Sequence, residues 1–395
     1  MKKIVSAALA AIMSLSCALT FTGCGSTASA DKLSIGGIGP TTGDAAIYGN
    51  AVKYGAEIAI EEINALGGLQ LELNFQDDAN DAEKSVNAYN NLKDWGMQVL
   101  MGTVTSTPCT VVASETNADR IFTITPSGSS TDIIGGIADA SGNVTVARRD
   151  NVFQLCFTDP NQGLASAQYI SEQKLGEKVA VIYNSSDVYS TGIYNTFMTK
   201  ADEMGLNVVS VTSFTNDTAN DFNVQLTEAK NAGADLIFLP IYYTPASLIL
   251  SQADSMGYEP KFFGVDGMDG ILTVDGFDTS LAEGVMLLTP FVADAEDART
   301  QSFVAKYKEK HGEVPNQFAA DAYDAIYTIY EAATKAGVTT DMDAAAICEK
   351  LIATITDPSF TVDGLTGSGM TWSTTGEVSK APKGMVIQDG VYVGM

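Results

Sequence analysis

The sequence predicts an α/β protein made of two parallel-sheet halves in tandem. Three observations point that way. Short β-rich runs alternate with helical runs from Lys32 onward, the alternation restarts after Asp159-Pro160, and no solenoid period or low-complexity block interrupts it. Leu33 to Ile38 reads as the first strand, leading into a Gly-Pro-Thr-Thr-Gly loop. A helix follows over about 45–66, because Tyr48, Val52, Ala56, Ala59, Ile60 and Ile63 fall on one stripe and Gly67-Gly68 stops it. Leu71 to Phe75 alternates apolar with polar as a strand and ends in Asp77-Asp78. Helix at about 81–95, strand 99–101, a helix beginning near Pro108 and strand 121–124 complete the first series.

The second series opens with a helix over about 161–174. It continues through strand 179–183, helix 189–204, strand 207–214, helix 221–232, strand 236–239, helix 245–256 and strand 261–265. Strand 284–288 then leads into amphipathic helices at about 296–310, 316–336 and 342–353, and the tail from Met370 holds short strand-like pieces.

At 395 residues the chain is long enough for two or three domains. Its 48 acids against 22 bases exclude a nucleic-acid binder, since phosphate would be repelled and no basic stripe exists. One histidine, His311, leaves no basis for a His-containing triad or a multi-His metal site, and its Lys-Glu-Lys-His-Gly-Glu setting reads as solvated surface. Neither a metal nor any other cofactor is expected. Residues 37–42 start like a dinucleotide-binding GxGxxG, but Thr42 replaces the third glycine; there is no GxSxG elbow and no CxxC pair. An enzyme is therefore the weak alternative.

Lys2 and Lys3, the apolar run Ile4 to Phe21, and Thr22-Gly23 before Cys24 resemble a bacterial lipoprotein signal, with Phe21 where leucine is usual. That resemblance implies cleavage after residue 23 and a lipid on Cys24, with 24–31 as a tether; a plain secretory signal is the competing reading. Processing removes two lysines and no acids, so 20 bases face 48 acids and the net charge moves from -26 to -28. Cys109, Cys156 and Cys348 are then left, widely spaced in apolar surroundings, and read as buried free thiols.

In open α/β sheets ligands bind beyond the C-terminal ends of the strands. There the chain places two hydroxyl-rich loops, 102–108 and 125–130, the first ahead of a helix N-terminus and neither holding a Lys or Arg. Such loops suit a small carboxylate, although Ser and Thr also serve as ordinary caps. Other strand-end loops offer Asp187 to Tyr189, Tyr242-Tyr243 and Asp266. Tyrosines there can cover an apolar ligand, and Asp266 can receive an ammonium, though a lone aspartate after a strand is more often a turn residue. Together the loops fit a zwitterion held between two halves.

Several motifs in order make the chain similar to the extracellular solute-binding proteins of branched-chain amino-acid ABC transporters, over essentially the whole chain after Cys24. They are Ile35 to Gly43 with Tyr48-Gly49, Ile63 to Gly68, Gln76-Asp77-Asp78, Gly102 with its Ser/Thr run, Ile124 to Ser127, Asp187 to Gly192, and Phe318 to Ala325. The resemblance implies two Rossmann-like lobes of the type I periplasmic-binding fold, 32–157 plus 291–366 and 158–290 plus 367–395. Three hinge crossovers near 156–160, 288–291 and 364–370 would join them. It further implies that Ser106 and Ser129 hold an amino acid's carboxylate, that the Ser127 carbonyl and Asp266 take its ammonium, and that Tyr48, Tyr189, Tyr242 and Phe318 line the cleft. Asp266 stands where the family usually has glutamate, and Asn80 and Thr105 stand where a disulfide is common. A monomer tethered outside the membrane, or in the periplasm of a Gram-negative cell, would deliver its ligand to an ABC permease. An amide, urea, short peptide or aromatic acid remains open as the ligand, and a sensor module as the role.

Overall fold

The computed structural model describes residues 28–138 and 141–395, so the signal and Cys24 lie outside the described residues. Strand β1 (Leu33–Gly39) is buried throughout, as a central parallel strand covered on both faces must be. Helix α1 (Ala46–Leu66) returns the chain to β2 (Leu71–Asp77), α2 (Ala82–Trp95) to β3 (Val99–Gly102), and α3 (Ser106–Asp119) to β4 (Phe122–Thr125). With β7 (Val152–Gln154) these strands form one parallel sheet in the order β2-β1-β3-β4-β7. Helix α3 starts two residues before Pro108, which sits in the first turn where its missing N–H costs nothing.

Between β4 and β7 lie a single turn, α4 (Thr131–Ile134), and a two-stranded antiparallel sheet of β5 (Ile137–Ala138) and β6 (Val144–Val146). The sequence reading passed over this excursion. Strands of two and three residues carry no usable period, and Val144 is exposed.

The second half repeats the pattern through α5 (Asp159–Glu172), β8 (Val179–Asn184), α6 (Val188–Met204), β9 (Val208–Phe214), α7 (Asn223–Ala232), β10 (Leu236–Leu239), α8 (Tyr243–Ser255), β11 (Lys261–Gly264) and β12 (Met286–Thr289). Helices α9 (Ala298–His311), α10 (Gln317–Lys335) and α11 (Ala344–Ile355) then return to the first half, where α10 lies along α1. Gly55 permits that approach, for a Cβ there would sit 2.0 Å from the Ala319 carbonyl oxygen. Finally β13 (Lys383–Gln388) and β14 (Val391–Gly394) add antiparallel to the second sheet, whose order is β14-β13-β12-β11-β10-β8-β9.

The chain thus passes between the two sheets three times: after β7, after β12, and between α11 and β13. The third passage is pinned in place. Trp372 Nε1 donates to the Gln154 carbonyl at 2.9 Å, and Lys380 Nζ lies 2.6 Å from Asp321 Oδ1 of α10 with both side chains buried. Cys109, Cys156 and Cys348 are free and buried. His311 differs from the solvated residue expected: its ring stacks on Tyr54 with centroids 3.8 Å apart, and Nε2 is buried. Among the described residues no helix is long and apolar enough to cross a membrane, and no cluster of His, Cys, Asp and Glu is arranged to hold a metal.

Candidate functional site

Strand ends from both sheets meet in a narrow cleft, and the cleft gathers most of the residues singled out from the sequence. Tyr48, Ser106, Ser127, Tyr189, Tyr242, Asp266 and Phe318 line it, together with Val104, Thr105 and Gly267. Ser129 does not reach the lining. It is buried behind it, where its carbonyl accepts the Asp159 N–H at 3.0 Å and its own Oγ has no partner.

Local sequence explains the placement. Thr105 caps α3 in extended backbone without a side-chain cap bond, and its buried Oγ1 has no partner. The first N–H groups of α3 therefore face the cleft, an arrangement that favours an anion. Asp187 caps α6 and Tyr242 caps α8, so two more helix starts converge here. Ser127 Oγ donates to the Val104 carbonyl at 2.7 Å and ties the two hydroxyl loops together, and Ser106 Oγ accepts the Ser130 N–H at 3.3 Å.

Asp266 sits in the first turn after β11 and is 3% exposed. Its Oδ1 accepts from the Tyr189 hydroxyl at 2.6 Å, which in turn accepts the Gly267 N–H at 2.9 Å. Burial raises its pKa from 3.8 to about 7 despite the hydrogen bonds from Tyr189 and its neighbours. No Lys or Arg lines the cleft. Burial likewise lifts Asp187 to about 6 and Asp159 well above the usual carboxylate range.

Aromatic rings fill the rest. Tyr48 packs on Phe318 with centroids 4.4 Å apart and meets Tyr242 edge-on at 5.5 Å, while Tyr189 and Tyr242 stack at 4.8 Å. The two halves touch across the cleft: the Tyr48 hydroxyl donates to the Gly267 carbonyl and accepts the Tyr243 N–H at 3.3 Å. Gln317, at the start of α10, donates its N–H to Asp269 at 2.9 Å and its side-chain amide to the Asp266 carbonyl at 3.2 Å. The remaining space is about 10 Å³, room for one water molecule, so the cleft stands shut.

Sequence reasoning did not single out Gly267, Thr105, Asp159 or Gln317. Gly267 follows Asp266 directly, and a Cβ there would lie 2.5 Å from the Tyr189 hydroxyl. Asp159 read only as a boundary before Pro160, and nothing local marks it as a buried carboxylate.

A family described as periplasmic binding protein matches residues 32–388. The chain is 29% identical over 330 residues to the Leu/Ile/Val-binding protein homolog 3 of Brucella melitensis, covering 82% of this chain and 84% of that one. Among solved structures, a leucine-binding protein from Thermotoga maritima superposes with a TM-score of 0.79 at 26% identity, covering 92% of this chain and 97% of the other. The branched-chain amino acid transporter substrate-binding protein of Streptococcus pneumoniae, in complex with isoleucine, gives 0.77 at 25% identity, covering 92% and 100%.

Proposed function

Because the chain belongs to the periplasmic binding protein family, we propose that it binds a small branched-chain or related amino acid between its two halves and hands it to a membrane ABC permease. One observation carries this reading: Asp266, a buried carboxylate with no base in the cleft, faces the N-terminus of α3 and the hydroxyl loops across a tyrosine-lined space. A zwitterion answers both ends, its ammonium supplying the cation Asp266 lacks and its carboxylate meeting the α3 N–H groups and Ser106, with Ser129 buried behind them. The Ser127 carbonyl completes the ammonium contacts. Tyr48, Tyr189, Tyr242 and Phe318 cover the apolar side chain.

In this reading residues 32–157 plus 291–366 form one lobe and 158–290 plus 367–395 the other, and the ligand enters when they part. Closure then favours the bound state, since only the closed lobes give contacts on both sides. The Leu/Ile/Val-binding relative and the leucine- and isoleucine-associated structures support the ligand class. No catalytic step is assigned to any residue. The protein acts as a monomer tethered through a lipid on Cys24, and Cys24→Ala will move it from the membrane fraction to the soluble one on cell fractionation.

A thermal-shift screen of the unfolded and refolded protein against the twenty amino acids tests the ligand class. A ligand at a hundredfold excess over its Kd adds about 2.7 kcal/mol of stability. Leucine, isoleucine or valine will give the largest shift. A shift with an amide or aromatic acid and none with any amino acid would replace this reading.

A further inference from the structure

Beside the cleft lies a second cavity of about 860 Å³, a size usual for small-molecule sites, and the two share no lining residue. Its walls come from both halves. Tyr54 of α1 with Tyr307 and His311 of α9 form one side; Asp269 and Leu272 of the loop after β11, with Tyr392 of β14, form the other. Phe291, on the second passage between the sheets, lines it as well.

Two buried polar atoms in these walls lack partners. Asp269 is 2% exposed; its Oδ2 accepts the Gln317 N–H at 2.9 Å, but Oδ1 has no donor in regular hydrogen-bond geometry. The Tyr392 hydroxyl lies within reach of this carboxylate and eases, without removing, the rise in its pKa to about 6. On the other wall His311 Nε2 is buried and unpartnered, and burial lowers the pKa of its ring. A carboxylate oxygen held in this way costs free energy until a donor reaches it, and a cationic donor answers it best.

The charge balance and the rings define the rest of the ligand. Lys310 is paired with Glu61, which leaves Lys308 against Asp269, Asp294 and Glu313 along the lining. The stacked Tyr54 and His311 rings, their planes 9° from parallel, offer a flat apolar wall with Tyr307 beside it. Such faces hold both aromatic bodies and organic cations. We propose that this cavity is a second ligand site for a small organic ammonium with an aromatic body, its ammonium on Asp269 Oδ1 and its ring against Tyr54 and Tyr307. The site shares no lining residue with the amino-acid cleft, and because its walls come from both halves it is complete only while the halves are closed.

Calorimetric titration with 2-phenylethylamine tests it. The protein will take up one equivalent, and Asp266→Asn in the cleft will leave that binding intact. Asp269→Asn keeps an acceptor for the Gln317 N–H but removes the charge, and will weaken binding about tenfold or more. Tyr54→Ala, which leaves the carboxylate untouched, will weaken it as well. The neutral 2-phenylethanol will bind far less tightly. Absence of saturable binding at millimolar amine, indifference to both Asp269→Asn and Tyr54→Ala, loss of binding in Asp266→Asn, or equal affinity for the alcohol would each overturn the proposal.

Discussion

Asp266 combines a requirement and a cost. A carboxylate that is to receive an ammonium must be ionised, yet its burial drives the pKa to about 7. In the unfolded chain the same group titrates near 3.8, so between about pH 4 and 7 the folded protein holds a proton the unfolded one has lost. Folding takes up that proton, and ligand-free stability therefore falls as pH rises through this window. Asp78, raised to about 7, and Asp187, Asp269 and Asp321, each raised to about 6, act in the same direction. Chemical denaturation at a series of pH values will show the decline, and Asp266→Asn will make it shallower and stabilise the ligand-free protein above pH 7. An unchanged profile in the variant would remove Asp266 from the account. At this scale the sequence was readable where residue type and strand-end position coincide, as for Tyr48, Ser106, Tyr189 and Asp266. It was silent on Asp159, because burial of a carboxylate is a property of the packed molecule.

At the scale of elements, the buried Lys380–Asp321 pair joins the third passage between the sheets to α10. Lys380 Nζ also donates to Thr366 Oγ1 at 2.9 Å, and Asp324, one turn along the helix, accepts from the N–H groups of Leu365 and Thr366 at 2.8 and 2.9 Å. Removing one partner of such a pair strands a desolvated charge. Lys380→Met will cost about 3–5 kcal/mol in urea denaturation. Adding Asp321→Asn will recover most of the loss, because the stranded carboxylate is then neutral. A mild single-variant effect with no recovery would mean that the pair does not hold the passage. The strand–helix alternation was legible because most central strands are continuous apolar runs and the helices carry stripes. The β5–β6 excursion and the Lys380 contact were not, since one has no period and the other joins residues 59 positions apart in the chain.

For the whole molecule, two sheets and three passages define a closed cleft whose contacts cross between the halves. The Tyr48–Gly267, Tyr243–Tyr48 and Gln317–Asp269 bonds all have to break if the halves part. A ligand that bridges Asp266 and the start of α3 would replace them and hold the same arrangement. The tandem architecture could be read from the restart after Asp159-Pro160 and the hydroxyl loops from their strand ends. The degree of closure could not, because it is set by contacts between residues far apart in the chain.

In the proposed function Asp266 receives the ammonium of an amino acid in this cleft. Calorimetric titration of leucine into the refolded protein and into its Asp266→Ala variant tests it most directly. The unaltered protein will bind one equivalent, and the variant will lose about 2–5 kcal/mol of binding free energy. Leucine bound with the same affinity by both proteins, or by neither, would contradict it.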